Sequence, residues 1–446
     1  MVAVINEILS CAVIVDNGSG VAIQPNTGAY SYVLTSKHVV WKEDVSAGPK
    51  KIDELKVSNV KGEFFRVFEM FCHLEHDAAL LVIEKIPDLK LRVSLQDPEY
   101  KQQIIVCGCP VKGRNPVLMN SMRDFTGAWS RAENQAWEAQ MDVFPEYHDI
   151  VGISGGGAYI IHEGTPLLVG VETSIVGNKS WQLGRLQGVG LSPYYDIISR
   201  AEFEGVPLAE LIPQHLSCLR NSVERTFRLA DAVDAVAIDH VRELLHRYAT
   251  KIILERTPKP FELRDFFGLR MLIHNRTPQD FLDSRMWSLF LEYLVVFSLI
   301  DDVDEIGFDY IVSVNNKRRF LYAGNGNSWF SLLRSILETD VPGLEHNGTV
   351  VIGTSSRPAH ARPPKVSLEN LVRDISEAES RSFDISSGSP CWQRVKDIVH
   401  IEAVSNSCIL GDNEPVFSEA YKKGNHEITK KLKEGYREFF LQGAVT

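Results

Sequence analysis

Cysteine is scarce in this 446-residue chain: seven residues, an odd number, scattered from Cys11 to Cys408. Only Cys107 and Cys109 stand close together, so no disulfide framework is legible. Reduced thiols in a cytoplasm fit best, and Asn-x-Ser/Thr matches at Asn178 and Asn347 are then chance. Long apolar runs are also missing. The most apolar stretch, 281–300, carries Asp283, Arg285 and Glu292, which excludes a bilayer span, and no membrane association is expected. The start, Met-Val-Ala-Val-Ile-Asn-Glu-Ile-Leu, lacks a basic n-region and reads as no signal peptide. Positive charge is in deficit: the net charge of −11 argues against broad nucleic-acid binding. There is no internal repeat and no long low-complexity tract. Metal-ligand clusters are thin. Cys72, His73, His76 and Asp77 fall in one stretch, but no second cluster supports a zinc site. Gly324-Asn325-Gly326-Asn327 is followed by no P-loop lysine and reads as a plain loop. Ser355-Ser356-Arg357, after a strand at 349–352, is a weaker anion-binding alternative. No metal and no cofactor are expected.

What is present divides the chain. Its length is too great for one core and points to two domains. Residues 1–200 read as short β-strands at regular spacing, the pattern of a sandwich or barrel. Cys11–Val15, Gly20–Gln24 and Tyr32–Thr35 are β-rich, and Asp16-Asn17-Gly18 and Pro25-Asn26-Thr27-Gly28 separate them. Phe64–Phe71, Ala79–Ile83, Ile104–Cys107, Ala158–His162 and Leu167–Thr173 continue the pattern. Residues 202–207 read as a linker, and residues 205–446 as a mostly helical α+β domain. Helices are expected at 208–227, 241–253 and 281–300. A β-hairpin is expected at 308–322, turning at Asn315-Asn316. A last helix should bury Ile428, Leu432, Tyr436 and Phe440 on one face.

The most informative motif is Gly-Ile-Ser-Gly-Gly-Gly at 152–157. A serine hydroxyl needs a base within reach, and an imidazole titrates in the right range. The base needs a carboxylate to fix its tautomer. His38, in Tyr-Val-Leu-Thr-Ser-Lys-His-Val-Val, and Asp77, in His-Asp-Ala-Ala-Leu-Leu, precede Ser154. The glycines allow a sharp turn, so the amides of Gly152 and Ser154 can face a developing oxyanion. The same motif also fits the nucleophile elbow of α/β-hydrolases. That fold needs Asp and His after the serine and a parallel α/β pattern before it, and the region before Ser154 is β-rich.

Five segments in order resemble the trypsin-like peptidase domain, and within it the HtrA type. Thr35-Ser36-Lys37-His38-Val39-Val40 is similar to the Thr-x-x-His-Val-Val segment, and Asp77-Ala78-Ala79-Leu80-Leu81 to Asp-Ile-Ala-Leu. Cys107-Gly108-Cys109-Pro110-Val111-Lys112-Gly113 resembles a Gly-Asn-Pro-x-Gly loop, and Gly152-Ile153-Ser154-Gly155-Gly156 matches Gly-x-Ser-Gly-Gly. Gly170-Val171-Glu172-Thr173-Ser174 resembles the Gly-Ile-Asn-Thr-Ala strand, which in that family pairs with the substrate backbone. The resemblance implies an all-β double β-barrel with a cleft between barrels. It also implies a catalytic His38, Asp77 and Ser154, an oxyanion hole from Gly152 and Ser154, and substrate contacts from Glu172, Thr173 and Ser174. The substrate-pocket base falls on His148, between Tyr147 and Asp149. Ile153 stands where secreted trypsins carry the aspartate that binds a new N-terminus, so activation by that ion pair is not expected.

The expectation is a serine endopeptidase acting on a protein substrate. A cytoplasmic peptidase free to cut any unfolded chain would be toxic, so residues 205–446 are expected to gate it, or to bind a partner or trigger. They do not read as the PDZ domain that follows HtrA peptidases. The architecture resembles protease components of bacterial anti-phage systems, the ABC-three-component type among them. Alternatives are a cytoplasmic quality-control or processing protease, and an inert protease-like binding module.

Overall fold

Alternating burial builds the first half of the chain. The computed structural model describes residues 2–42, 48–111, 123–133, 136–143, 150–162, 164–178, 181–229, 232–254, 256–324, 328–365, 370–375 and 390–442. The chain divides into two units, Met1–Pro213 and Gln214–Thr446.

In the first unit, helix α1 (Val2–Cys11) leads into β1 (Ala12–Val15) and β2 (Gly18–Ile23). The reversal between them is tight, with Asp16 at φ 48°, a conformation that aspartate tolerates better than most residues. Next come β3 (Tyr30–Thr35), β4 (Val57–Asn59), β5 (Phe64–Phe65), β6 (Val67–Cys72) and β7 (Ala79–Glu84). They form an antiparallel sheet in the order β5-β4-β1-β2-β3-β7-β6, curled into a nearly closed barrel. Alternate residues of β3 and β7 serve two cores. Val33, Ala79, Leu81 and Ile83 fill one cluster; Tyr32, Leu34, Leu80 and Val82 fill another with Ile105, Tyr159 and Val171 of the second barrel. Both faces are therefore buried, which explains the unbroken apolar run of β7. Each such side chain contributes about 1.5–3 kcal/mol by leaving water.

The second barrel uses β8 (Arg92–Val93), β9 (Gln103–Gly108), β10 (Arg123–Glu133), β11 (Ala136–Met141), β12 (Gly157–His162), β13 (Thr165–Asn178) and β14 (Trp181–Gly190). Pairing runs β12-β9-β10-β11-β14-β13, and β12 also pairs with β13, so the ring closes. The N-terminal half is thus the all-β double barrel, with helix α2 (Ser192–Arg200) after it.

Residues 202–207, read as a linker, form the hairpin β15 (Glu202–Phe203) and β16 (Val206–Pro207). Phe203 packs against Tyr30 and Phe68, which draws the segment onto the first unit.

The second unit is mainly helical. Helix α3 spans Ala235–Ile252 and helix α4 spans Ser284–Asp301, with 286–299 all buried, so α4 is the central core helix. Among the described residues no helix is long and apolar enough to cross a membrane. The expected hairpin at 308–322 is instead helix α5 (Phe308–Lys317) followed by β17 (Arg318–Tyr322). Asn315 explains the difference. Its Nδ2 donates to Ile311 O and its Oδ1 accepts from Phe320 N, so it caps the helix and steers the chain into the strand. β17, β18 (Gly348–Gly353) and β19 (Val395–His400) form a parallel sheet. The helix expected at 208–227 is broken: Leu208 and Leu211 join the first unit's core, and only Gln214–Ser217 is α-helical. Helices α6 (Ile401–Ile409), α7 (Glu414–Lys423) and α8 (Asn425–Gln442) end the unit. On α8, Ile428, Leu432 and Tyr436 are buried.

Candidate active site

The site begins where β3 stops. Thr35 and Ser36 are fully buried; Thr35 Oγ1 donates to Ser19 O (2.7 Å) and Ser36 Oγ to Glu172 O (2.8 Å). These bonds anchor a single 3₁₀ turn, Lys37–Val40. Val39 and Val40 turn inward while the His38 side chain stays half exposed. Asp77 follows β6 in a tight turn closed by His73 N to Ala78 O (2.9 Å). Its carboxylate grips His38 twice. Oδ1 accepts from the His38 backbone N–H (2.9 Å), and Oδ2 lies 2.7 Å from His38 Nδ1. With a carboxylate as its partner, Nδ1 is the donor in this bond. Burial would raise the Asp77 carboxyl, but hydrogen bonds and charge from His38 prevail and hold it below its ordinary value.

The glycine turn supplies the third group. Ile153 is buried and pins the turn through Ile153 N to Ile150 O (2.9 Å) and Gly156 N to Ile153 O (2.7 Å). Gly155 has φ 93°, and a Cβ there would sit 1.9 Å from Ser19 O. Only glycine fits both constraints. Ser19 ties this turn to the first barrel: its N–H donates to Ser154 O (2.7 Å), its Oγ donates to Gly152 O (2.7 Å) and accepts from Cys109 N (2.7 Å).

His38, Asp77, Gly152 and Ser154 line one cleft of about 880 Å³, with Lys37, Trp41 and Lys42 on its rim. The Ser154 hydroxyl donates to Thr173 O (3.1 Å), and no hydrogen bond joins it to His38. Ser154 N–H has no partner among the described residues. Gly152 lies at φ 96°.

The β13 residues differ among themselves. Thr173 falls in a bulge of the β13–β14 register, between Glu172 and Ser174. Ser174 Oγ accepts from Gln187 Nε2 (2.6 Å). Glu172 points inward and is 2% exposed, with both of its backbone polar groups bonded inside the unit. Burial first, then the nearby charge of Asp77, push its carboxyl up to about 8, against a smaller lowering by the Ser154 hydroxyl. His148, with Tyr147 and Asp149, lies outside the described residues.

The 72–77 stretch is used internally. His73 Nε2 meets Asp196 Oδ2 (2.9 Å), and its Nδ1 accepts from the backbone N–H groups of Glu75 and His76. Among the described residues no group of three or more His, Cys, Asp or Glu is arranged for a metal.

Sequence reasoning missed the hydroxyls that brace the site, Ser19, Thr35 and Ser36. The signal was present, since buried hydroxyls flanking a histidine turn must find backbone partners.

C-terminal domain 4 of the ABC-three component (ABC-3C) systems is the family whose model matches residues 188–410. Among solved structures, the chain is similar to kallikrein-related peptidase 10, with 16% identity and a TM-score of 0.33 over 44% of this chain and 96% of that one. It is also similar to the active form of the Rv3671c protease from M. tuberculosis, with 14% identity and a TM-score of 0.33 over 47% of this chain and 91% of that one. No curated protein matches the chain.

Proposed function

The chain belongs to the C-terminal-domain-4 family of the ABC-three component systems, and on that premise we propose that its double barrel is the serine endopeptidase of such a system, cutting a protein substrate in antiviral defence. The observation that carries the reading is the two-point grip of Asp77 on His38, 2.9 Å to the backbone and 2.7 Å to Nδ1, at the cleft that also holds Ser154. Ser154 Oγ attacks the scissile carbonyl carbon and its proton passes to His38 Nε2. The negative charge on the carbonyl oxygen is met by the amides of Gly152 and Ser154. His38 then protonates the leaving amine as the C–N bond breaks. Water, deprotonated by the same imidazole, releases the acyl group from Ser154. Asp77 stays ionised throughout and stabilises the imidazolium. Glu172, Thr173 and Ser174 form the strand beside which substrate lies, and the resemblance makes His148 the candidate for the pocket base. No step calls for a metal or cofactor.

Residues 205–446 gate this chemistry by binding a partner or trigger. The seven free thiols support a reducing, cytoplasmic setting. One observation favours a second reading, an inert protease-like module: the Ser154 hydroxyl is bonded to Thr173 O and not to His38. A fluorophosphonate probe separates the two. Wild type should label, alone or with lysate from phage-infected cells, and Ser154→Ala should not. Wild type that stays unlabelled in both conditions supports the inert module.

A further inference from the structure

A buried glutamate normally meets a cation or several donors. Glu172 is 2% exposed, and among the described residues its side chain meets neither. Its position is fixed by its backbone: N–H donates to Gly156 O (2.7 Å), and the carbonyl accepts from Gly155 N (2.8 Å) and Ser36 Oγ (2.8 Å). The carboxyl is thereby held against the Ser154 hydroxyl, while its Oε2 is buried with no hydrogen-bond partner. The titratable groups near it come from three elements. Asp77 brings charge of the same sign. His38, on the 3₁₀ turn, is committed through Nδ1 to Asp77. Tyr194 of α2 is fully buried and donates its hydroxyl to Thr35 O (2.9 Å). Lys37, the closest cation in sequence to His38, spends its ammonium on His73 O (2.8 Å).

Counting protons sharpens the arrangement. Ser154 has one hydroxyl proton, and Thr173 O accepts it at 3.1 Å. A carboxylate beside that oxygen would then be a second acceptor with nothing to accept. A neutral carboxyl supplies the missing donor. We propose that Glu172 is a positioning residue for the nucleophile. Its neutral carboxyl donates to Ser154 Oγ while Thr173 O takes the serine proton, and together they hold the hydroxyl off His38 until substrate draws it round. The inference rests on the reading of Ser154 as nucleophile. Burial supports the neutral form at pH 7, since it pushes the carboxyl up to about 8. Above that pH the donor is lost, and a carboxylate competes with His38 for the serine proton.

Two measurements on the full chain test this. The first is the titration of the Glu172 side-chain carbon by NMR, using glutamate labelled with ¹³C at that carbon and assigned by its disappearance in Glu172→Gln. In Ser154→Ala the Glu172 midpoint should fall by several tenths of a pH unit, because the bond that the neutral carboxyl donates to Ser154 Oγ holds its proton in the wild type. An unchanged midpoint, or one that rises because the serine had been donating to a carboxylate, overturns the proposal. The second is the rate of fluorophosphonate labelling between pH 6 and 9.5. Wild type should show two ionisations. Glu172→Gln, which keeps volume and a donor but cannot ionise, should show one. Glu172→Ala should label several-fold faster than wild type at pH 7; if it does not fold, the Gln variant still decides. Identical pH profiles for wild type and Glu172→Gln overturn the idea. A chain that never labels, yet whose Glu172 midpoint falls with Ser154→Ala, keeps the Glu172–Ser154 contact and removes the peptidase reading instead.

Discussion

Each unit of this chain buries a glutamate, and the two are treated differently. In the second unit Glu292 is fully buried, takes the backbone N–H of Phe227, and has Arg285 for a neighbour. Beside it Glu402, 1% exposed, pairs with Arg228 (2.9 Å) and Arg285 (2.8 Å). Burial and the charge of Glu402 raise Glu292 to about 7, against the lowering by Arg285. In the first unit Glu172 has a hydroxyl and a like charge for company and rises to about 8. The first arrangement braces helices around a core, with cations supplied to match. The second leaves a carboxyl with a like charge and, among the described residues, no cation beside Ser154, the proposed nucleophile. Among the described residues both carboxyls leave Oε2 buried without a hydrogen-bond partner, so what separates them is the neighbouring cation that Glu292 has and Glu172 lacks.

That contrast is most severely strained by taking one charge from each unit. Asp77→Asn keeps the shape of the turn but supplies an amide donor where His38 Nδ1–H needs an acceptor. By the precedent of such triads, labelling of Ser154 should fall by about 10⁴-fold. Thermal stability should change little, since the Asp77 side chain is 37% exposed. Glu402→Ala should do the reverse. It strands Arg285, whose side chain is 11% exposed, and should cost about 3–5 kcal/mol of the second unit's stability, read by denaturant unfolding. A large stability loss in Asp77→Asn, or a neutral Glu402→Ala, would erase the distinction.

Much of the site was legible because a tight glycine turn obeys short-range rules. Gly155 must be glycine for reasons of φ and of space against Ser19 O, so the motif survives in sequence. The barrel strands announced themselves through alternation and turn residues. Other features depend on contacts made far along the chain. Glu172 sits in Leu-Leu-Val-Gly-Val-Glu-Thr, where nothing local says whether it faces a substrate or the interior. Asn315-Asn316 has the composition of a hairpin turn. Asn315 caps a helix because β17 finds a parallel partner in β18, about thirty residues on, and not in the segment before it. Turn chemistry fixes a reversal, but tertiary pairing decides what it joins.

The mildest strain on the comparison is pH, and here the two units should move in opposite directions. Glu172 has a folded midpoint of about 8 against an ordinary 4.5, so the folded state holds a proton that the unfolded chain has lost. Its contribution to stability is least unfavourable below about 4.5 and worsens as pH rises to about 8. Each unit of separation is worth about 1.4 kcal/mol. Glu172→Gln should therefore gain melting temperature over wild type, by a margin that widens from pH 5 to pH 8. His400 in the second unit is fully buried, with Thr354 Oγ1 on its Nε2 (2.8 Å). Burial, then the charges of Arg285 and Arg228, lower it from 6.5 to about 3. The unfolded state thus binds the extra proton between those values, so stability is fully present above 6.5 and drains away toward pH 3. His400→Gln should flatten that acid limb and leave the alkaline one untouched. Scanning calorimetry of both variants across pH 4–9 reads the two slopes. Finding both limbs altered by either single substitution would mean that the two groups report one shared unfolding event and not two separate environments.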